Sequence, residues 1–172
     1  MQDRPVKSGY AALRRYRNSL AGADYFLTTN LAHRGNGLAA PALVAEIKMQ
    51  CLRLETDGLW SVRTLVVMPD HVHLLVNLAG NVQLAGNMRL FKGRVTPALR
   101  CTGLKWQAGF YEHRLREKED VLPIFHYVFL NPYRAGLASG NQVWTGYYCA
   151  PEDWKWFGQL TSEAVPQPEW LH

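Results

Sequence analysis

Thr64-Leu-Val-Val-Met-Pro-Asp-His-Val-His-Leu-Leu-Val-Asn77 lies within the most apolar strand-like run of the chain and contains its central turn. Trp60 to Val67 reads as a strand, and Met68-Pro-Asp70 as a tight turn, because proline has no N–H to give to a ladder. His71 to Leu78 is then the partner strand of a hairpin. His71 and His73 are two residues apart on that strand and so share a face.

Upstream of the hairpin, Leu43, Val44, Ile47, Cys51, Leu52 and Leu54 recur at helical spacing between Ala42 and Glu55, and Gly58 closes that helix. Before it, Asp24-Tyr-Phe-Leu-Thr-Thr-Asn30 is short, aromatic and β-branched, the signature of a first strand. Downstream, Val82 to about Val95 places Leu84, Met88 and Phe91 inward and Arg89, Lys92 and Arg94 outward, with Pro97 as the expected limit. Trp106 to Arg116 reads as a loop and a fourth strand. Glu117 to Leu130 is a last helix that stops at Asn131-Pro132. Strand, helix, hairpin, helix, strand, helix is an α+β order. It predicts a ferredoxin-like antiparallel sheet with helices on one face.

The 172 residues suit one domain, and 48% hydrophobic residues are enough for a core. Three segments differ in charge. Residues 1–23 form a basic arm, residues 24–140 the folded domain, and residues 141–172 an acidic, aromatic tail. Between Asn81 and Arg116 seven basic residues face only Glu112, while after Gly140 Lys155 alone faces four acids. Such a basic middle suits a polyanion, and it also suits a solvated helix face. Cys51, Cys101 and Cys149 are odd in number and in no metal-binding spacing, which fits a reducing cytoplasm. No apolar run is long enough to span a bilayer, so a soluble protein away from membranes is expected.

Two imidazoles on one strand face can chelate a divalent metal, each through one ring nitrogen while the other is held by a neighbouring acceptor. Packed strand histidines would give the same pattern. On the last helix Tyr127 and Asn131 are four apart and share a face. A phenol with a pKa of about 10 needs a cation or base beside it to act as a nucleophile. A core tyrosine would look the same in sequence.

Several further segments occur in order: Tyr25-Phe-Leu-Thr-Thr29, Val67-Met-Pro-Asp-His-Val-His-Leu-Leu75, Phe91-Lys92, Trp106-Gln107, Phe110-Tyr-Glu-His-Arg-Leu-Arg116, Glu119-Asp120 and Tyr127-Val-Phe-Leu-Asn-Pro-Tyr-Arg-Ala-Gly-Leu137. With them the chain resembles the REP-associated tyrosine transposases, a branch of the HUH single-strand transposases with the IS200-like fold. The resemblance implies that His71 and His73 are metal ligands, that Asn131 occupies the third, amide position, and that Tyr127 is the nucleophile. It implies Mg²⁺ or Mn²⁺ as cofactor, and cleavage and transfer of single-stranded DNA through a 5′-phosphotyrosine link.

The implied partner is a REP-like palindrome folded as a hairpin, in the bacterial cytoplasm and on nucleoid DNA. A monomer is expected, with a dimer as the alternative. Lys92, Arg94, Arg114 and Arg116 would neutralise phosphates, and Trp106, Phe110 or Tyr111 would stack on unpaired bases. His113 and Arg134 are further DNA-contact candidates. Family tails usually carry small hydroxyl residues in a Trp-rich segment, which Asp153-Trp-Lys-Trp-Phe157 lacks. The competing functions are a hairpin-binding protein that does not cleave and an RNA-binding module of the same fold. The aromatic strand signature of the RNA-binding module is missing where His71 and His73 stand.

Overall fold

A computed structural model describes residues 19–80, 82–139 and 142–158. The basic arm up to residue 18 and the tail beyond residue 158 lie outside the described residues. Five strands and four α-helices follow one another as β1 (Asp24–Asn30), α1 (Pro41–Thr56), β2 (Trp60–Val67), β3 (His71–Leu78), α2 (Leu84–Cys101), β4 (Tyr111–Arg114), α3 (Leu122–Arg134), β5 (Tyr147–Cys149) and α4 (Pro151–Phe157). A short 3₁₀ turn, Ala32–Arg34, follows β1. The strands form one antiparallel sheet in the order β4-β1-β3-β2-β5. Its first four strands have the ferredoxin-like order, and β5 extends the free edge of β2.

The alternation of side chains along β1, β2 and β3 builds two cores, because residues one apart face opposite ways. Leu27, Leu65, Leu74 and Val76 pack with Ile47, Leu54, Phe91 and Val95 under α1 and α2. Phe26, Val66 and Leu75 pack with Ile124, Phe125, Val128 and Phe157 under α3 and α4. The α+β, ferredoxin-like arrangement is as expected. The expectation of helices on one face holds for α1 and α2, while α3 and α4 cover the other. Val66 and Leu75 are apolar on that second face and need a cover.

Three boundaries differ from the sequence reading. α2 runs through Pro97 to Cys101. Pro97 and Gly93, whose carbonyl loses its partner, are both on the exposed side of the helix, where that carbonyl is open to solvent, while Val95 and Leu99 continue the buried stripe. α3 starts at Leu122 rather than Glu117, with Pro123 in the first turn, where no N–H is missed. It then continues through Pro132 to Arg134. The tail carries β5 and α4, which the sequence reading left without secondary structure.

The described part of the tail is an aromatic flap. Phe157 is fully buried against Phe125 and Phe129, and Trp144 Nε1 donates to Val67 O at 2.9 Å. Arg63 joins the flap to the sheet: it meets Asp24 at 2.6 Å and Asp153 at 2.6 Å, and lies 5.3 Å over the Phe125 ring. Lys48 of α1 donates to the carbonyls of Thr145 and Tyr147.

Candidate active site

His71 and His73 open β3 immediately after the Pro69-Asp70 turn, on the face that α3 covers. Their Nε2 atoms converge at 3.0 Å, and the rings are 4.5 Å apart at 71°. The outer nitrogens have partners: His71 Nδ1 lies 2.6 Å from Asp70 Oδ1, and His73 Nδ1 lies 2.8 Å from Thr28 Oγ1. Thr28 is directly opposite His73 in the β1–β3 register, which brings its hydroxyl to that ring. Phe26 stacks on His73 at 5.3 Å. Burial first, and the neighbouring His71 imidazole second, hold the His73 pKa well below the ordinary histidine value, so the ring is neutral at neutral pH.

α3 brings Tyr127 to this pair. Its hydroxyl is 3.4 Å from His73 Nε2, and the two rings are 5.1 Å apart. The phenol is half-buried, and burial raises its pKa. A hydrogen bond from the Asn131 side chain and the charge of Arg134 act against that rise without cancelling it. Tyr127, Asn131 and Arg134 are four and seven residues apart along one helix face. An open groove of about 530 Å³ lies at the end of β1 beside Asp70 and is lined also by Asn30, His33 and Gln107.

The donor set fits a divalent ion. Two nitrogens each about 2.1 Å from a common ion and at a right angle lie about 3.0 Å apart. The described residues contain no cluster of three or more His, Cys, Asp or Glu suited to a metal. The Asn131 side chain, hydrogen-bonded to Tyr127, adds an amide on the same helix face.

The remaining predicted residues fall into three places. His113 of β4 is opposite Phe26, on the active-site face, and its Nε2 is 3.0 Å from Glu119. Lys92, Arg94, Trp106 and Phe110 belong to the α1/α2 side of the sheet. Lys92 donates to the carbonyls of Gln107 and Gly109 and lies over the Trp106 ring, and Arg94 pairs with Asp57 at 2.8 Å. Trp106 and Phe110 pack against the larger core. Arg114 and Arg116 are exposed along β4 and just after it.

Four residues that the sequence reading did not assign also build the site. Asp70 and Thr28 hold the imidazoles, and Glu119 and Asp120 set the start of α3. Glu119 accepts from the Arg116 N–H at 2.6 Å, and Asp120 accepts from the Leu122 N–H at 3.0 Å. Asp70 is legible as the neighbour of His71, whereas Thr28 is found only through the strand register.

No protein-family model matches the chain. The REP-associated tyrosine transposase of Escherichia coli (strain K12) is 28% identical over 131 residues, which span 74% of this chain and 77% of that protein. Among solved structures, a REP-associated tyrosine transposase bound to a REP hairpin has a TM-score of 0.61 and 26% identity, covering 72% of this chain and 74% of that one. The chain is a relative of the REP-associated tyrosine transposases. The similarity extends to the fold, since a REP-associated tyrosine transposase has the same sheet-and-helix arrangement over nearly three quarters of both chains. Among the described residues no helix is long and apolar enough to cross a membrane.

Proposed function

We propose that this chain is a metal-dependent single-strand DNA endonuclease and strand transferase that acts on hairpin-forming DNA through a 5′-phosphotyrosine link. The observation that carries the reading is the approach of the Tyr127 hydroxyl to within 3.4 Å of an imidazole whose Nε2 also faces His71 Nε2. His71, His73 and the Asn131 amide would hold Mg²⁺ or Mn²⁺, and an ion there supplies the positive charge that polarises a phosphate oxygen. Two imidazole ligands suit Mn²⁺ better than Mg²⁺.

The chain's own residues do the rest. Tyr127 Oη forms a bond to phosphorus as the bond from phosphorus to the 3′ oxygen breaks. The phenol proton passes to solvent, and the departing oxygen takes up a proton to become a 3′-hydroxyl. The new link is still a phosphodiester, so attack by a 3′-hydroxyl rejoins strands without an outside energy source. Arg134 favours the phenolate through its charge and would also attract an incoming phosphate. The exposed Arg114 and Arg116 would neutralise hairpin phosphates, and His113 on the face of His73 would be a further DNA contact. The partner is a REP-like palindrome met in the bacterial cytoplasm. Because one chain supplies both the phenol and the imidazoles, a monomer suffices for the reaction.

The test is a labelled hairpin with a single-stranded flank, incubated with Mn²⁺ and run on a denaturing gel. The parent protein yields a protein-linked DNA band. Tyr127→Phe lowers that band by at least about a thousandfold and keeps hairpin binding. Cleavage by the Phe variant contradicts the assignment of the nucleophile. Binding without cleavage by the parent favours the non-cleaving hairpin binder.

A further inference from the structure

The hydrogen bonds around the two imidazoles have a direction, and Asp70 sets one end of it. A carboxylate only accepts, so in the 2.6 Å bond to Asp70 the proton is on His71 Nδ1. A neutral His71 then presents a lone pair at Nε2, aimed at His73 Nε2 3.0 Å away. Two lone pairs at that distance repel, so either a proton or a cation must lie between them. On the far side of His73, the partner at 2.8 Å is the Thr28 hydroxyl, which can either donate or accept.

We propose that Thr28 is a positioning residue that lets His73 change tautomer. With a proton between the rings, the bonds run in one direction: Thr28 O–H to His73 Nδ1, His73 Nε2–H to His71 Nε2, and His71 Nδ1–H to Asp70. With a divalent ion between the rings, His73 carries its proton on Nδ1 and the Thr28 hydroxyl turns to accept it. The ring loses one proton from Nε2 to solvent and gains one at Nδ1 from solvent. Its proton count and charge are therefore the same in both arrangements. A carboxylate at position 28 would pin the proton on Nδ1, and a methyl group would leave Nδ1 without a partner in either arrangement. The inference rests on reading His71 and His73 as ion ligands.

Nitrogen-15 NMR of the imidazoles, at a pH where both are neutral, tests the proton order in the parent protein itself. After treatment with a chelator, His71 is expected as the Nδ1–H tautomer and His73 as the Nε2–H tautomer. Adding Zn²⁺ is expected to move His73 to Nδ1–H. In calorimetry with Mn²⁺, Thr28→Val weakens binding about 10–100-fold while Thr28→Ser keeps the parent affinity. An Nδ1–H tautomer at His73 in the chelator-treated protein overturns the proposal, as does a folded Thr28→Val protein that binds Mn²⁺ like the parent. A parent that binds neither Mn²⁺ nor Zn²⁺ contradicts the ligand reading itself and removes this inference with it.

Discussion

Glu119 ties the end of β4 to the approach to α3, the helix that carries Tyr127. Burial works against its charge, but the Arg116 N–H and the His113 ring hold its pKa below the usual carboxylate value. A carboxylate whose folded pKa is depressed adds stability that is present above the unfolded value, about 4.3, and fades as pH falls below it toward the folded value. Urea unfolding as a function of pH should show that fall in the parent and a flatter profile in Glu119→Gln. Identical profiles would deny Glu119 this role. The two histidines were legible because their spacing and the period of a strand put them on one face. Thr28 was not legible, because its partnership with His73 depends on a register between strands 45 residues apart in sequence.

At the level of elements, the hairpin and α1 could be read directly, since alternation, helical spacing and a turn proline agree there. α2 could not be read to its end, because the rule that proline stops helices takes no account of an exposed proline with a buried stripe beneath it. An interior proline costs a helix about 3 kcal/mol and returns about 1 kcal/mol through the unfolded chain. Pro97→Ala should therefore raise unfolding stability by about 1–2 kcal/mol; a loss of stability would mean that the helix is built around the proline. β5 and α4 were hidden because each is short and gains its stability from the flap's contacts. Arg63 is the charged link in those contacts. Arg63→Met leaves Asp24 and Asp153 facing each other without a cation and should cost about 2–3 kcal/mol, allowing for partial exposure, as read by chemical denaturation. A cost near zero would show that the aromatic packing and the Lys48 and Trp144 hydrogen bonds hold the flap without Arg63.

Across the whole molecule, the cations of the basic middle divide into those engaged by the protein itself and those that are exposed. Lys92 and Arg94 are engaged with carbonyls and with Asp57 on the side of the sheet away from Tyr127, while Arg114 and Arg116 are exposed. No sequence pattern separates a cation that braces a loop from one that waits for a phosphate. Lys92→Met should lower stability by about 1–2 kcal/mol. Arg116→Ala should leave stability alone and reduce the salt slope of hairpin binding by about one. An unchanged slope for Arg116→Ala would move the DNA path elsewhere.

The central claim is that Tyr127 takes the DNA onto itself at the imidazole pair. Tandem mass spectrometry of the digested protein–DNA product tests it most directly. The account predicts a nucleotide joined through its 5′ phosphate to the peptide containing Tyr127, with the modification on that residue. A nucleotide on any other side chain, or cut DNA bearing a 5′ phosphate and no bound protein, would contradict it.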